Sequence, residues 1–258
     1  MLAQQRQAAI LEMVKRDGGV RVSSLVSELG VSDMTIRRDL ETLAERGLVA
    51  KVHGGATPVD SASTDEPGYA AKSTRQLAEK QAIARRAAQL IRPGSAVALS
   101  AGTTTATLAS YLTEIPDLTI VTNSIPAADV LHRAGRADHT VILTGGTRTP
   151  SDALVGPVAI AAIRSLNTDL LFLGVHGFDE RAGLTTPNLM ESETNRALID
   201  ATRRLVVLAD HTKWETVGIS TIAPLDRADI LVSDEGLPGD AREVLSAHVA
   251  ELYLAGTP

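Results

Sequence analysis

The 258-residue chain contains no cysteine. That excludes a disulfide framework and any thiolate-ligated metal site, and it fits a reducing compartment. Aromatic residues are nearly as scarce: two Phe, three Tyr and one Trp. Stacking platforms for single-stranded nucleic acid are therefore not expected. No apolar run approaches the roughly 18 residues that a membrane-spanning helix needs. The opening MLAQQRQAAILEMVKRDGG carries charge throughout and lacks a signal peptide's apolar core, so a cytoplasmic protein with no membrane partner is expected. The six histidines are scattered, so no metal site and no cofactor are expected. His176 and His211 read as hydrogen-bonding neighbours of a site, not as metal ligands.

What is present is ordinary for a folded chain: 44% hydrophobic and 22% charged residues, with enough length for one large or two smaller cores. The charge is uneven. Residues 1–57 hold eight Lys/Arg against seven Asp/Glu, a net of +1, while the remainder carries −7 of the overall −6. A nearly neutral head on an acidic body hints at two domains with different partners.

The head predicts three short helices and a strand pair. Ile10, Leu11 and Val14 share a face of the first helix, which Gly18-Gly19 ends. Ser23 or Ser24 is placed to cap the second, which carries Leu25, Val26 and Leu29 and stops at Gly30. Ser32 caps the third, where Ile36, Leu40 and Leu43 recur at i, i+4 and i+7. Gly47 closes it, and LVAKVHGGA then alternates and turns at Gly54-Gly55, as a β-hairpin wing would. Two helices joined by a tight turn, the second with an exposed polar face, describe a helix-turn-helix whose second helix enters the major groove. With the apolar stripe inward, Met34 and Arg38 point outward, and Thr35 and Arg37 flank them. Arginine suits a bidentate hold on guanine or a charge-assisted bond to phosphate. Ser32, Thr35 and the helix's first amides suit a phosphate oxygen. Lys51 and His53 on the wing suit the DNA backbone or minor groove. The rival reading is a solvated face, with Arg37 or Arg38 paired to Glu41.

Residues 57–68, TPVDSASTDEPG, are rich in Pro, Ser, Asp and Gly and read as linker; the division expected is 1–57, a linker at 58–76, and a second domain at 77–258. In that domain helical stretches alternate with AVALSAG, LTIVTNS, TVILTGG, LLFLGVHG, LVVLADH and ADILVSD, which predicts a mostly parallel α/β sheet covered on both faces. Ligands in such sheets bind beyond the carboxyl ends of the strands. There the sequence places Gly102-Thr103-Thr104-Thr105 leading into a helix, Thr122-Asn123-Ser124, Gly145-Gly146, His176-Gly177-Phe178-Asp179 and Asp210-His211-Thr212-Lys213, with Glu191 and Arg196 on a nearby helix. A Gly-led hydroxyl loop at a helix N-terminus suits phosphate, although a capped strand-to-helix turn would need only one Thr. Cations suit a phosphate and carboxylates suit sugar hydroxyls. Trp214 is either a core anchor or a pocket wall.

Residues 6–56 closely resemble the winged helix-turn-helix of the DeoR family of bacterial transcriptional regulators, most specifically in VSDMTIRRDL and HGGA. The resemblance continues through AGTTT, VTNS, LTGG, GFD, GLT, ESETNRALI and LADHTKW, and so covers nearly all of the chain. It implies a sensor domain related in fold to sugar-phosphate isomerases. It further implies a repressor of carbohydrate-catabolic genes that a phosphorylated sugar releases from an operator in double-stranded DNA. By the same resemblance Thr103, Thr104 and Thr105 hold phosphate, and Asn123, Gly145, Gly146, Asp179, Glu191, Arg196 and Lys213 line the sugar pocket. The chain departs from the family where Ser100 replaces a usual acidic residue, Asn195 a usual Lys, and Tyr69-x-x-Lys72 the usual aromatic-x-x-Arg. Helix-turn-helix heads work in symmetric pairs, so a homo-oligomer, dimer or tetramer, is expected. The rival function is an isomerase with an appended head, using Asp179, Glu191 and Lys213 as base and electrophile; an isomerase has no use for residues 6–56.

Overall fold

Glycines and capping side chains set the boundaries of the N-terminal elements in the computed structural model. It describes residues 2–46, 48–52, 54–58, 64, 66 and 68–256, with the backbone alone at 4, 15, 51 and 58. Two units emerge, Met1–Ala62 and Ser63–Pro258. In the first, α1 (Ala3–Asp17) ends at Gly18, which adopts φ 75°. A two-residue strand, β1 (Val20–Arg21), leads directly into α2 (Val22–Leu29), which ends at Gly30. Ser32 caps α3 (Asp33–Glu45), its Oγ accepting from the Thr35 amide at 3.3 Å. The wing is β2 (Val49–Val52) paired antiparallel with β3 (Gly55–Pro58). Ile10, Val14, Leu25, Ile36, Leu40 and Leu43 form a core sealed by Val49 and Ala56.

Two expectations need correction. Ser23 and Ser24 lie inside the first turn of α2 and do not cap it; the cap is Arg21, held extended because β1 pairs with β3. That pairing also turns the expected strand pair into a three-stranded sheet, β1-β3-β2. It explains Gly55: a Cβ there would lie 2.1 Å from the Val20 carbonyl oxygen, so only glycine lets the strands meet. Gly47, expected to close α3, lies outside the described residues.

The second unit opens with α4 (Tyr69–Ser73) and α5 (Leu77–Ala88). Its sheet is built from β4 (Ala96–Leu99), β5 (Thr119–Thr122), β6 (Thr140–Leu143), β9 (Thr168–Gly174), β12 (Thr202–Leu208), β14 (Ile230–Asp234) and β15 (Glu251–Ala255). All pairings are parallel, in the order β15-β14-β12-β9-β4-β5-β6. The edge strand ELYLA, β15, was not among the six strands expected. Helices α5, α6 (Thr103–Leu112) and α7 (Ile125–Ala134) bury one face around Phe172, Leu99 and Ile120. Helices α8 (Pro157–Arg164), α9 (Leu189–Asp200) and α10 (Gly239–His248) bury the other around Leu171, Leu205 and Leu231. Two small antiparallel pieces flank them. One is the pair β7 (Thr147–Arg148) and β8 (Leu154–Val155). The other is the sheet of β10 (Gly177–Asp179), β11 (Gly183–Thr186) and β13 (Ser220–Ala223). From β4 the chain winds one way through β5 and β6, and from β9 the other way through β12, β14 and β15. The switch point therefore lies between the carboxyl ends of β4 and β9.

Candidate DNA-recognition helix and effector site

On α3 the buried stripe turns Ser32, Met34, Arg37 and Arg38 outward, all exposed, with Thr35 half-buried. Met34 is 80% exposed, unusual for a large apolar side chain unless a partner covers it. Arg37 pairs with Asp33 one turn earlier, Nε to Oδ1 at 2.5 Å, and not with Glu41. Both partners are over half exposed, so the pair orients Arg37 without adding much stability. Arg38 has no ion-pair partner among the described residues. The third group on this helix escaped sequence reading. Asp39 is 4% exposed, and its carboxylate accepts from Arg6 Nε at 2.5 Å and Gln7 Nε2 at 3.0 Å. A buried carboxylate needs such partners; here they come from α1 and fasten the recognition helix to it. The signal was present in the sequence as an acidic residue inside the apolar stripe. Lys51 stands in β2, and His53 lies outside the described residues.

In the second unit, Ser100 directly follows β4 at the switch point. It is fully buried, and its Oγ accepts the Gly174 amide from β9 at 2.9 Å. The Ser100 hydroxyl thus ties the two central strands together. Gly102 then caps α6. Thr105 spends its hydroxyl on the Gly102 carbonyl at 3.0 Å, whereas those of Thr103 and Thr104 make no hydrogen bond among the described residues. The first amides of α6 likewise have no carbonyl within the helix. An anion placed there would meet free N–H groups, two hydroxyls and the positive end of the helix dipole.

Cations gather at the same end of the sheet. Lys72 on α4, Lys80 at the start of α5, Lys213 after β12 and His176 after β9 interact electrostatically. Lys80 is 4% exposed and donates to the carbonyls of Lys72 at 2.6 Å and Arg75 at 2.5 Å. Burial pushes its pKa down to about 8, against the pull of Asp210. Burial lowers Lys72 too, and burial with Lys213 and Lys72 nearby takes His176 down to about 4. His176 is therefore neutral near pH 7. Glu191, at the N-terminus of α9, accepts from Thr149 Oγ1 at 2.7 Å and from Thr186 Oγ1 at 3.5 Å. Burial raises its pKa to about 6, and the Glu66 carboxylate beside it adds to the rise.

Other expected pocket residues have structural partners. Asn123 is buried and uses both ends of its amide. Its Oδ1 accepts from the Ala101 amide and its Nδ2 donates to the Leu154 carbonyl, which supports the Gly-Thr loop from behind. Asp179 accepts from the amides of Arg181 and Ala182 in the β10–β11 turn. Arg196 is exposed on α9 and donates to the carbonyls of Thr221 and Ile222 on β13. Gly146 has φ 117°, and a Cβ there would lie 2.5 Å from the Val155 carbonyl oxygen, so β8 already makes the close approach expected of a ligand. Gly145 sits beside it with φ 72°. His211 pairs with Asp234, Nδ1 to Oδ2 at 2.7 Å, and Trp214 is a core anchor with its ring 5.5 Å from that of Phe178. Sequence reading missed Glu66 and Lys80, and it put Lys72 in a linker.

A winged helix-turn-helix unit in one chain with an α/β unit that has an anion-suited switch point defines a transcriptional regulator with its own sensor. Residues 6–62 match the DeoR-like helix-turn-helix domain and residues 75–235 the DeoR C-terminal sensor domain. The chain belongs to the DeoR family of DNA-binding transcriptional regulators. It is 38% identical over 248 residues to the HTH-type transcriptional regulator GlpR of Haloferax volcanii, across 96% of each chain. It is 34% identical over 251 residues to the glycerol-3-phosphate regulon repressor of Escherichia coli K12, across 97% of this chain and 98% of that one. Among solved structures it is similar to ribose 5-phosphate isomerase A of Methanocaldococcus jannaschii. That match has a TM-score of 0.40 and 16% identity, and spans about half of each chain, 53% and 54%. Among the described residues no helix is long and apolar enough to cross a membrane.

Proposed function

We propose that the protein represses carbohydrate-catabolic genes and is released from its operator by a phosphorylated sugar. The carrying observation is the start of α6: unfilled amides and the unengaged hydroxyls of Thr103 and Thr104 stand at the switch point, with Lys72, Lys80 and Lys213 around the same end of the sheet. In this reading the phosphate sits on α6, and Glu191, Thr149 and Lys213 meet the sugar's hydroxyls. Asn123, Gly146, Asp179 and Arg196 shape the site without touching the ligand, and the chain catalyses no reaction. The relative named for the glycerol 3-phosphate regulon supports a phosphate ester as the signal class. Arg37 reads guanine while Asp33 steadies it, Arg38 and Ser32 meet phosphate, Met34 meets a thymine methyl, and Lys51 and His53 reach the backbone. The protein works in the cytoplasm as a homo-oligomer, dimer or larger; Val141 and Leu143, exposed on the edge strand β6, support a covered edge.

Thermal unfolding with phosphate esters and their unphosphorylated parents tests the sensor. A ligand at 100 times its Kd stabilises by about 2.7 kcal/mol. Stabilisation by an ester but not by its parent is expected; stabilisation by the parent alone refutes the phosphate seat. A monomer in sedimentation at micromolar concentration refutes the oligomer.

A further inference from the structure

The chain between the head and the sensor's sheet is fastened by groups that adjoin the candidate effector site, Ser151 two residues from Thr149 and Asn188 three residues from Glu191. Glu66 is the centre of this fastening. Ser151 Oγ donates to its Oε1 at 3.0 Å and Asn188 Nδ2 to its Oε2 at 2.9 Å. Ser151 in turn receives Lys72 Nζ at 2.9 Å, and the Tyr69 amide donates to the Pro150 carbonyl at 3.0 Å. Asn188 is also the N-cap of α9, its Oδ1 accepting from the amides of Met190 and Glu191. One amide side chain therefore joins the connector to the helix that carries Glu191.

From this arrangement we infer that the Glu66 carboxylate is a built-in occupant of the effector site, seated where a hydroxyl-bearing ligand binds, and that its displacement frees the connector. The inference rests on the sensor reading above. Ser151 and Asn188 present donors, which accept a sugar oxygen as readily as a carboxylate oxygen. The seat also carries opposing charges, Lys72 drawing the Glu66 carboxylate in and Glu191 repelling it. Glu66 lies beside the buried Glu191, and two neighbouring carboxylates disfavour one another's charge, consistent with the raised pKa of Glu191. Neighbouring hydroxyls in place of the two carboxylate oxygens keep both hydrogen bonds, and they remove the repulsion from Glu191 along with the attraction to Lys72. The head's connector then loses its fastening, so that occupancy is felt in the segment leading to the DNA-binding unit with no longer relay.

The test uses the full-length protein, its own promoter DNA, and no ligand. Glu66→Ala removes the occupant. Asn188→Asp keeps the α9 cap, because aspartate also accepts from the helix amides, but replaces the donor with a charge that expels Glu66. Operator affinity measured by fluorescence anisotropy should fall at least threefold in each. In the Glu66→Ala background, Asn188→Asp should add less than threefold, since its target is gone. Hydrogen exchange of residues 68–76 should rise in both, with α6 unchanged. A single variant that weakens DNA binding less than threefold, or an Asn188→Asp effect that persists without Glu66, overturns the inference. Ser151→Ala, which leaves the α9 cap intact, serves as the second variant under the same thresholds if either protein fails to fold. Wild-type protein that does not bind its promoter refutes the regulator reading itself, and that outcome is distinct from a failure confined to the variants.

Discussion

Replacing Asp39 with alanine tests how the recognition helix is held. Asp39 is 4% exposed and accepts two hydrogen bonds from α1, at 2.5 Å from Arg6 and 3.0 Å from Gln7. Hydrogen bonds to a charged group contribute about 1.5–3 kcal/mol each, so losing both costs roughly 3–6 kcal/mol. A head of this size has about 3–9 kcal/mol of stability in all. At about 4–8 °C per kcal/mol for a small domain, its unfolding midpoint should fall by at least about 12 °C. Calorimetry of the full-length protein resolves this, because the head and the sensor have separate cores. Only the head's transition should move. Asp39→Asn preserves the shape and the acceptor for Gln7, and should cost about half as much. Operator affinity should fall with head stability, since α3 is then no longer fastened to α1. A head transition in Asp39→Ala that moves by less than about 4 °C, equivalent to about 1 kcal/mol, would show that the apolar stripe alone holds α3.

Three other outcomes follow from the site. Arg37→Ala with Arg38→Ala should abolish specific operator binding and leave both unfolding transitions in place, and Arg38→Ala alone should lower the salt slope of binding by about 1, as loss of one phosphate contact does; unchanged operator binding in the double variant would show that α3 is not the reading helix. Thr104→Val keeps the shape of a residue whose hydroxyl has no partner among the described residues, so the midpoint of the sensor should hold while stabilisation by the phosphate ester weakens about tenfold in apparent Kd, about 1.4 kcal/mol. Between about pH 4.5 and about 6 the sensor's stability should stay nearly level, because folded Glu191 keeps a proton that the unfolded chain has lost while folded His176 has given up one that the unfolded chain retains, and it should rise from about 8 to about 10.5, because folded Lys80 gives up its proton first; urea titrations across pH check both, and Glu191→Gln should uncover the rise due to His176 between about 4.5 and about 6.

The parts of the molecule legible in the sequence were those with local causes. Ser32 caps α3 because a hydroxyl before a helix satisfies an orphan amide, and the Ile36, Leu40, Leu43 spacing needs only helical geometry. The Gly-Thr loop was legible because a strand, a glycine and hydroxyls in that order define where the chain leaves the sheet. The groups that were missed have partners far away in sequence. Asp39 finds Arg6 and Gln7 at separations of 33 and 32 residues, and Glu66 finds Asn188 at 122. A Pro- and Ser-rich segment reads as linker by composition, and composition does not show that its one glutamate has a seat on the folded domain. Asp179 and Arg196 present the opposite case. Their residue types suit a sugar pocket, yet backbone amides in one turn and carbonyls on β13 take up their hydrogen bonds.

The energetics favour a connector that carries the signal. A repressor that loses DNA affinity a hundredfold on binding its ligand needs a coupling free energy of about 2.7 kcal/mol. The ligand supplies this only through contacts that differ between the two states. A ligand bound wholly within the amides of α6 would hold the sensor equally in either state and shift nothing. The two bonds that Ser151 and Asn188 give to the Glu66 carboxylate are of the right size, about 1.5–3 kcal/mol each before the adjoining Glu191 offsets part of it. They exist only while the connector is fastened. With the phosphate on α6 as proposed, that seat supplies affinity common to both states, and the contest for Ser151 and Asn188 supplies the difference. On this division of labour, a ligand that keeps its phosphate but lacks the competing hydroxyl should bind the sensor and still leave the repressor on its operator.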